Sequence, residues 1–222
     1  MNRDHLSFFD KLWNNGENPI YVLVTYAIST PWKYLGPFDT QPNTAGYSFR
    51  TADGKWYQVD NTAEEANSLN REILSNIVAV IAERYGTHPA VIGFVIGNEQ
   101  NNAVTRSNCK YWEWIDSIAA RVKWIAPTKL TSTTIVDDDF ITVRAAYQCS
   151  DLPNLDVWGI NAYRGNVYSG FGQLYNQFSS LSERALLITE FGCPSSTRNA
   201  NRDFIMMQQN SKSQADYLKV HW

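Results

Sequence analysis

The 222-residue chain carries a net charge of -3, with 44% hydrophobic and 14% aromatic residues, and has a mean hydropathy of -0.36 and a pI near 5.6. That length fills one well-packed core. No stretch approaches the roughly 18 apolar residues that a spanning helix needs, and the slightly acidic balance gives no electrostatic footprint for nucleic acid. A neutral or weakly polar ligand fits better. Eight Trp and twelve Tyr offer rings on which the C–H faces of a sugar stack, although most such rings build cores.

The opening MNRDHLSFFDKLW lacks the basic start and apolar run of a secretory leader. Residues 3–15 read as a short amphipathic helix closed by Gly16. Residues 20–27 (IYVLVTYA) are an apolar, β-branched run of strand length. A long polar connection from Ser29 to Asp60 follows, of a length that is uncommon unless functional. Residues 61–85 predict a helix, with Thr62 as cap, Glu65 three residues on, and an apolar stripe of Leu69, Ile73, Ile77, Val80 and Ile81. The run AVIGFVIGNEQ, residues 90–100, is apolar until it stops at a polar cluster. A buried parallel strand looks like this when it delivers chemistry at its carboxyl end.

A Trp-rich helix is expected over 109–125, a strand over 129–136 running into Asp137, Asp138 and Asp139, and a helix over 140–148. Residues 155–162 (LDVWGINA) form another strand that ends on polar groups, Asn161 and Tyr163. A helix over 174–181, a last strand over 185–190 (ALLITE) and a helical tail from Arg202 complete the chain. The alternation of strands and helices predicts an α/β fold with a parallel sheet, either a doubly wound open sheet or an incomplete barrel. No nucleotide-binding glycine motif, cofactor motif or metal-ligand cluster is present in the sequence. His88 reads as a helix–strand connector. Cys109, Cys149 and Cys193 match neither a zinc spacing nor a dense disulfide framework; one pair with a free thiol and a fully reduced set both remain open.

Two carboxylates end two apolar strands: Glu99 in IGNEQN and Glu190 in LITEFG. Glycoside cleavage needs such a pair, one group to protonate the leaving oxygen and one to attack the anomeric carbon or activate water. Strand ends converging at one rim of a parallel barrel supply the geometry. A single strand-end Glu is more often a surface residue or an ion pair; the coincidence of two carries the argument.

HPAVIGFVIGNEQN, LDVWGINAYRG and ALLITEFG together resemble the catalytic domain of the clan of retaining (β/α)8 glycosidases. HPAVIGFVIGNE is similar to family 2 β-glycosidases. SGFGQLYNQF, Asn161-Ala162-Tyr163, the Tyr-Gln-Cys before that strand, TSTTIVDDD and Glu-Phe-Gly-Cys at 190–193 look more like the β-1,3-glucanosyltransferases of family 72. The resemblance implies a (β/α)8 TIM barrel and, for residues 1–222, a single barrel domain that lacks the first two strands and the last. It implies Glu99 as acid/base and Glu190 as nucleophile. Asn98 would bind the neighbouring sugar hydroxyl and Tyr163 would donate to Glu190, with Tyr26 and Trp32 as sugar platforms. The expected partner is an oligo- or polysaccharide, with no cofactor. The other readings are an inactive carbohydrate-binding or structural remnant of such a barrel and an unrelated α/β protein with two chance glutamates.

Overall fold

The computed structural model describes residues 5–26, 47–50, 56–59, 63–99, 106–163, 171–192, 196–197, 208–209, 215–216 and 219. From the amino end the elements are α1 (Leu6–Trp13), a 3-10 turn (Asn14–Gly16), β1 (Val22–Tyr26), β2 (Tyr47–Arg50), β3 (Trp56–Val59) and α2 (Ala63–Tyr85). There follow β4 (Val91–Asn98), α3 (Cys109–Ile125), β5 (Leu130–Val136), α4 (Ile141–Cys149), β6 (Val157–Ala162), α5 (Phe171–Ser179), β7 (Ala185–Phe191), β8 (Ser196–Thr197) and β9 (Gln208–Gln209).

The five strands expected from the apolar runs form one sheet in the order β1-β4-β5-β6-β7, and every neighbour pair is parallel. Alternate residues face opposite sides. Phe94, Ile96, Ile135, Trp158, Ile160 and Ala162 point outward into a core completed by α3, whose buried Tyr111, Trp112, Ile115, Ile118, Ala119 and Val122 recur at helical spacing. The inner side carries smaller and more polar residues. There Gly159 sits where a Cβ would lie 2.5 Å from Thr134 Oγ1 and 3.0 Å from Thr189 Cγ2, so the threonines of β5 and β7 close over β6 only because that position is glycine. The two edge strands line the same cavity of about 540 Å³, β1 through Leu23 and Thr25, β7 through Leu187 and Thr189. The sheet is therefore curled, as in part of a barrel wall. Among the described residues β1 and β7 pair with no further strand, and an eight-stranded closure is not seen.

Three expectations need correction. The 29–60 connection is not structureless: β2 and β3 pair antiparallel, with Tyr47 opposite Val59 and Arg50 opposite Trp56. The alternating YSFR and WYQV about Asp53-Gly54 are a hairpin signal. The buried face of α2 is Val78, Ala79, Ala82 and Tyr85, while Ile77 and Val80 are exposed; of the expected stripe Ile81 packs against the core. In the tail, Gln208–Gln209 pairs antiparallel with Ser196–Thr197 where a helix is expected; residues 215–216 and 219 are helical. A short apolar run does not discriminate helix from strand by periodicity. Cys109 and Cys149 form a disulfide joining the start of α3 to the end of α4; Cys193, Thr62 and Trp32 lie outside the described residues.

Candidate active site

Both strands that carry the glutamates gain a residue just before them. Val95 is paired with Ser132 and Asn98 with Thr134, so three steps along β4 match two along β5. Ile160 is paired with Ile188 and Asn161 with Glu190, so two steps along β7 match one along β6. An extra residue reverses which face the following side chains occupy. Without it Glu190 would stand beside Ala162, which is fully buried in the outer core. With it Glu190 stands beside Asn161 and lines the cavity together with Asn98 and Thr134. In β4 the extra residue is accommodated by Gly97 at φ 78°, a backbone state natural for glycine. Glu99 itself has φ 55°, a left-handed conformation that costs a non-glycine residue about 1 kcal/mol. It is held there by its own N–H, which donates to Thr134 O at 2.9 Å.

β6 lies between the two glutamate-bearing ends and reaches both. Asn161, 1% exposed, donates through Nδ2 to Glu99 Oε1 at 2.8 Å and to Asn98 Oδ1 at 3.2 Å. Its Oδ1 accepts from Thr189 Oγ1 at 2.7 Å. Tyr163, just past β6, donates its phenol to Glu190 Oε2 at 2.6 Å. Among the described residues the side-chain donors that reach the two carboxylates are thus an amide and a phenol, both neutral. Such bonds fix the direction in which each carboxylate points. Glu99 is exposed and Glu190 half-buried, both open to an incoming ligand.

The structure thus brings Glu99, Asn98, Tyr163 and Glu190 to one rim. Tyr26 is placed differently. It alternates with Thr25, which lines the cavity, and packs with Val22 and Val24 against the outer core; burial raises its phenol pKa above the ordinary value. Asp138 closes the amino end of α4, accepting from Thr142 N at 3.2 Å and from Thr142 Oγ1 at 2.5 Å, with Arg106 Nε 3.5 Å away. It serves the helix terminus. The sequence alone assigns no role to Asn161 or Thr189. The signal for Asn161 was present, as a polar residue closing an apolar strand; Thr189 had none, because threonine is an ordinary strand residue.

No protein-family model matches the chain, and no curated protein matches it. Among solved structures it is similar to the β-glucuronidase of Ruminococcus gnavus, at 15% identity over 73% of this chain and 28% of that chain, with a TM-score of 0.50. The same enzyme in complex with uronic isofagomine matches at 16% identity over 70% of this chain and 26% of that one, TM-score 0.50. The β-D-glucuronidase of Dictyoglomus thermophilum matches at 18% identity over 67% and 25%, TM-score 0.49. The chain spans about a quarter of the length of the structures it matches. At this identity the likeness to the Ruminococcus gnavus enzyme is one of fold: the curled α/β sheet is shared with part of it.

Proposed function

We propose that the chain is the catalytic part of a retaining glycoside hydrolase or transglycosylase acting on β-linked glycans, with Glu99 as acid/base and Glu190 as nucleophile. The observation that carries this reading is the pair of carboxylates at the carboxyl ends of β4 and β7, Glu190 turned to the cavity side by an extra strand residue and Glu99 following Asn98, which an extra residue turns the same way, each glutamate held by a neutral donor from β6 or its end. In the first step Glu190 attacks the anomeric carbon while Glu99 protonates the departing oxygen. In the second, Glu99 takes the proton of water or of a sugar hydroxyl that displaces Glu190. Asn98, beside Glu190 in the cavity lining, is the candidate donor to the neighbouring sugar hydroxyl, and Tyr163 keeps the Glu190 carboxylate aimed. The shared fold leans the reading towards β-glucuronidases, which belong to family 2, rather than towards the family 72 transferases. Aryl β-glucuronides therefore belong among the first substrates tried.

The test is a panel of aryl β-glycosides, β-glucuronides and β-glucans, with the anomeric configuration of the first product followed by NMR and longer products by chromatography. Release of the β-anomer is expected, and chain lengthening would assign transfer. An α-anomer as first product removes the retaining mechanism. Binding of a glycan without turnover assigns the carbohydrate-binding alternative instead.

A further inference from the structure

We propose that Asn161 is a positioning residue that decides which oxygen of Glu99 carries the transferred proton, and that Thr189 holds Asn161 in the orientation this requires. The inference rests on the acid/base reading of Glu99.

A side-chain amide has one acceptor oxygen and two donor hydrogens, and Asn161 uses all of them. Thr189 Oγ1 donates to Oδ1 at 2.7 Å, and Nδ2 donates to Asn98 Oδ1 at 3.2 Å and to Glu99 Oε1 at 2.8 Å. A flipped amide would set its oxygen against both the Asn98 carbonyl and the Glu99 carboxylate, a repulsion the observed orientation avoids. With Asn161 only 1% exposed, bulk water does not compete for these bonds.

The consequence falls on Glu99. Oε1 accepts from Nδ2–H, and in a carboxylic acid the carbonyl oxygen is a better acceptor than the hydroxyl oxygen, so this bond favours Oε1 as the carbonyl oxygen. The proton therefore resides on Oε2. As Glu190 forms its bond to the anomeric carbon, the carbon–oxygen bond to the leaving group breaks. Its electron pair goes to the departing oxygen, and that oxygen takes the Oε2 proton and leaves as a neutral alcohol. The negative charge passes from Glu190 to Glu99, where Asn161 Nδ2–H is already in place. A hydrogen bond to a carboxylate is stronger than one to a carboxylic acid, so the donor acts more on the transition state than on the ground state.

The arrangement also ties the two glutamates together. Thr189 immediately precedes Glu190 and is part of the same irregular end of β7, so the segment that presents Glu190 also orients the amide that presents Glu99.

The experiment compares wild type with Asn161→Ala, Thr189→Val and Thr189→Ser over aryl and alkyl glycosides of graded leaving-group pKa. The readout is kcat/KM, which reports the first step. Thr189→Val keeps the side-chain shape while removing the hydroxyl. Asn161→Ala and Thr189→Val are expected to steepen the dependence on leaving-group pKa and to lose roughly 10- to 100-fold on alkyl glycosides, somewhat below the effect of deleting a direct oxyanion donor. Thr189→Ser should restore the wild-type slope. A parallel loss on all substrates, with the slope unchanged, would overturn the proposal. A second readout needs no turnover: the Asn161 side-chain amide signals in a 15N-labelled sample should move as Glu99 ionises and lose that movement in Glu99→Gln. Amide signals indifferent to Glu99 overturn the placement. Coupled signals in a wild type inactive on every glycoside overturn the catalytic reading and leave the placement standing.

Discussion

Asp138 apart, which closes α4 with Arg106 nearby, the two ends of the sheet use carboxylates in different ways. At the amino end Asp156 meets Lys123 at 2.5 Å and accepts from Thr131 N at 2.9 Å. Asp10 meets His88 at 3.1 Å, and Lys129 donates to the carbonyls of His88 and Val91. Arg184 reaches Tyr147 and the carbonyls of Asp151 and Leu152. Charge there is spent on closing turns and fastening helices to strands. At the carboxyl end Glu99 and Glu190 receive an amide and a phenol. These donors aim the two carboxylates, and among the described residues neither carboxylate meets a cation. Under the proposed function the division is that of parallel barrels, with stability at one face and chemistry at the other.

The most direct way to break this comparison is to remove the groups at the chemical end. Glu190→Ala is expected to abolish turnover of every substrate, because the glycosyl–enzyme bond cannot form. Azide or formate should restore part of it and yield product of inverted configuration. Glu99→Ala should lose about 10²- to 10⁴-fold on alkyl glycosides, retain the first step on an activated aryl glycoside, and be rescued by azide with retained configuration. Neither change should move the denaturation midpoint appreciably, since both carboxylates lie outside the core. Exchange of the two rescue patterns would exchange the two roles.

Removal of a residue behind the sheet should do the reverse. Trp158 is fully buried, packs tilted against Trp112 with ring centroids 5.6 Å apart and donates to Tyr147 Oη at 3.0 Å. Trp158→Ala is expected to cost about 3–5 kcal/mol of stability, read from urea denaturation, while the molecules that remain folded keep their turnover. A loss of turnover without a loss of stability would mean that the two sides of the sheet are not separable.

What the sequence made legible follows from this division. The outer face was readable because burial writes itself in long apolar runs: residues 90–97 and 155–162 map onto β4 and β6, and the α3 stripe is a plain helical repeat. The polar strand ends were readable as abrupt stops. The extra residues in β4 and β7 were not, because period-two alternation carries no mark of an insertion. Strict alternation in ALLITEF would have sent Glu190 to the buried side. The hairpin at Tyr47–Val59 was missed for a different reason: its strands are four residues long, and their alternation was lost within a loop rich in Gly and Pro. Asn161 was visible as a polar strand end, but its three bonds join β4, β6 and β7 and exist only in the tertiary fold.

The smallest expected effect sharpens the comparison from the stable end. Burial alone would raise the Asp156 pKa, but the hydrogen bond from Lys123 outweighs it together with the bonds from the Thr131 N–H and hydroxyl and the charge of Lys123, so the folded pKa lies below the ordinary value of 3.8. A carboxylate whose folded pKa is depressed stabilises the fold above its unfolded pKa and loses that contribution as pH falls through the folded pKa. Wild-type stability should therefore decline below about pH 4. Asp156→Asn keeps an acceptor for Thr131 but gives up the charge facing Lys123, which is about a third exposed, so the cost at pH 7 should be about 1 kcal/mol. That difference should shrink between pH 4 and pH 2, because protonated aspartic acid and asparagine then present similar groups to Lys123 and Thr131. Urea midpoints of both proteins at pH 7 and pH 2.5 supply the measurement. Curves that stay parallel across that range would show that Asp156 contributes no charge-dependent stability, and the contrast between the ends of the sheet would then rest on the Asp10–His88 pair and the Arg184 and Lys129 ties.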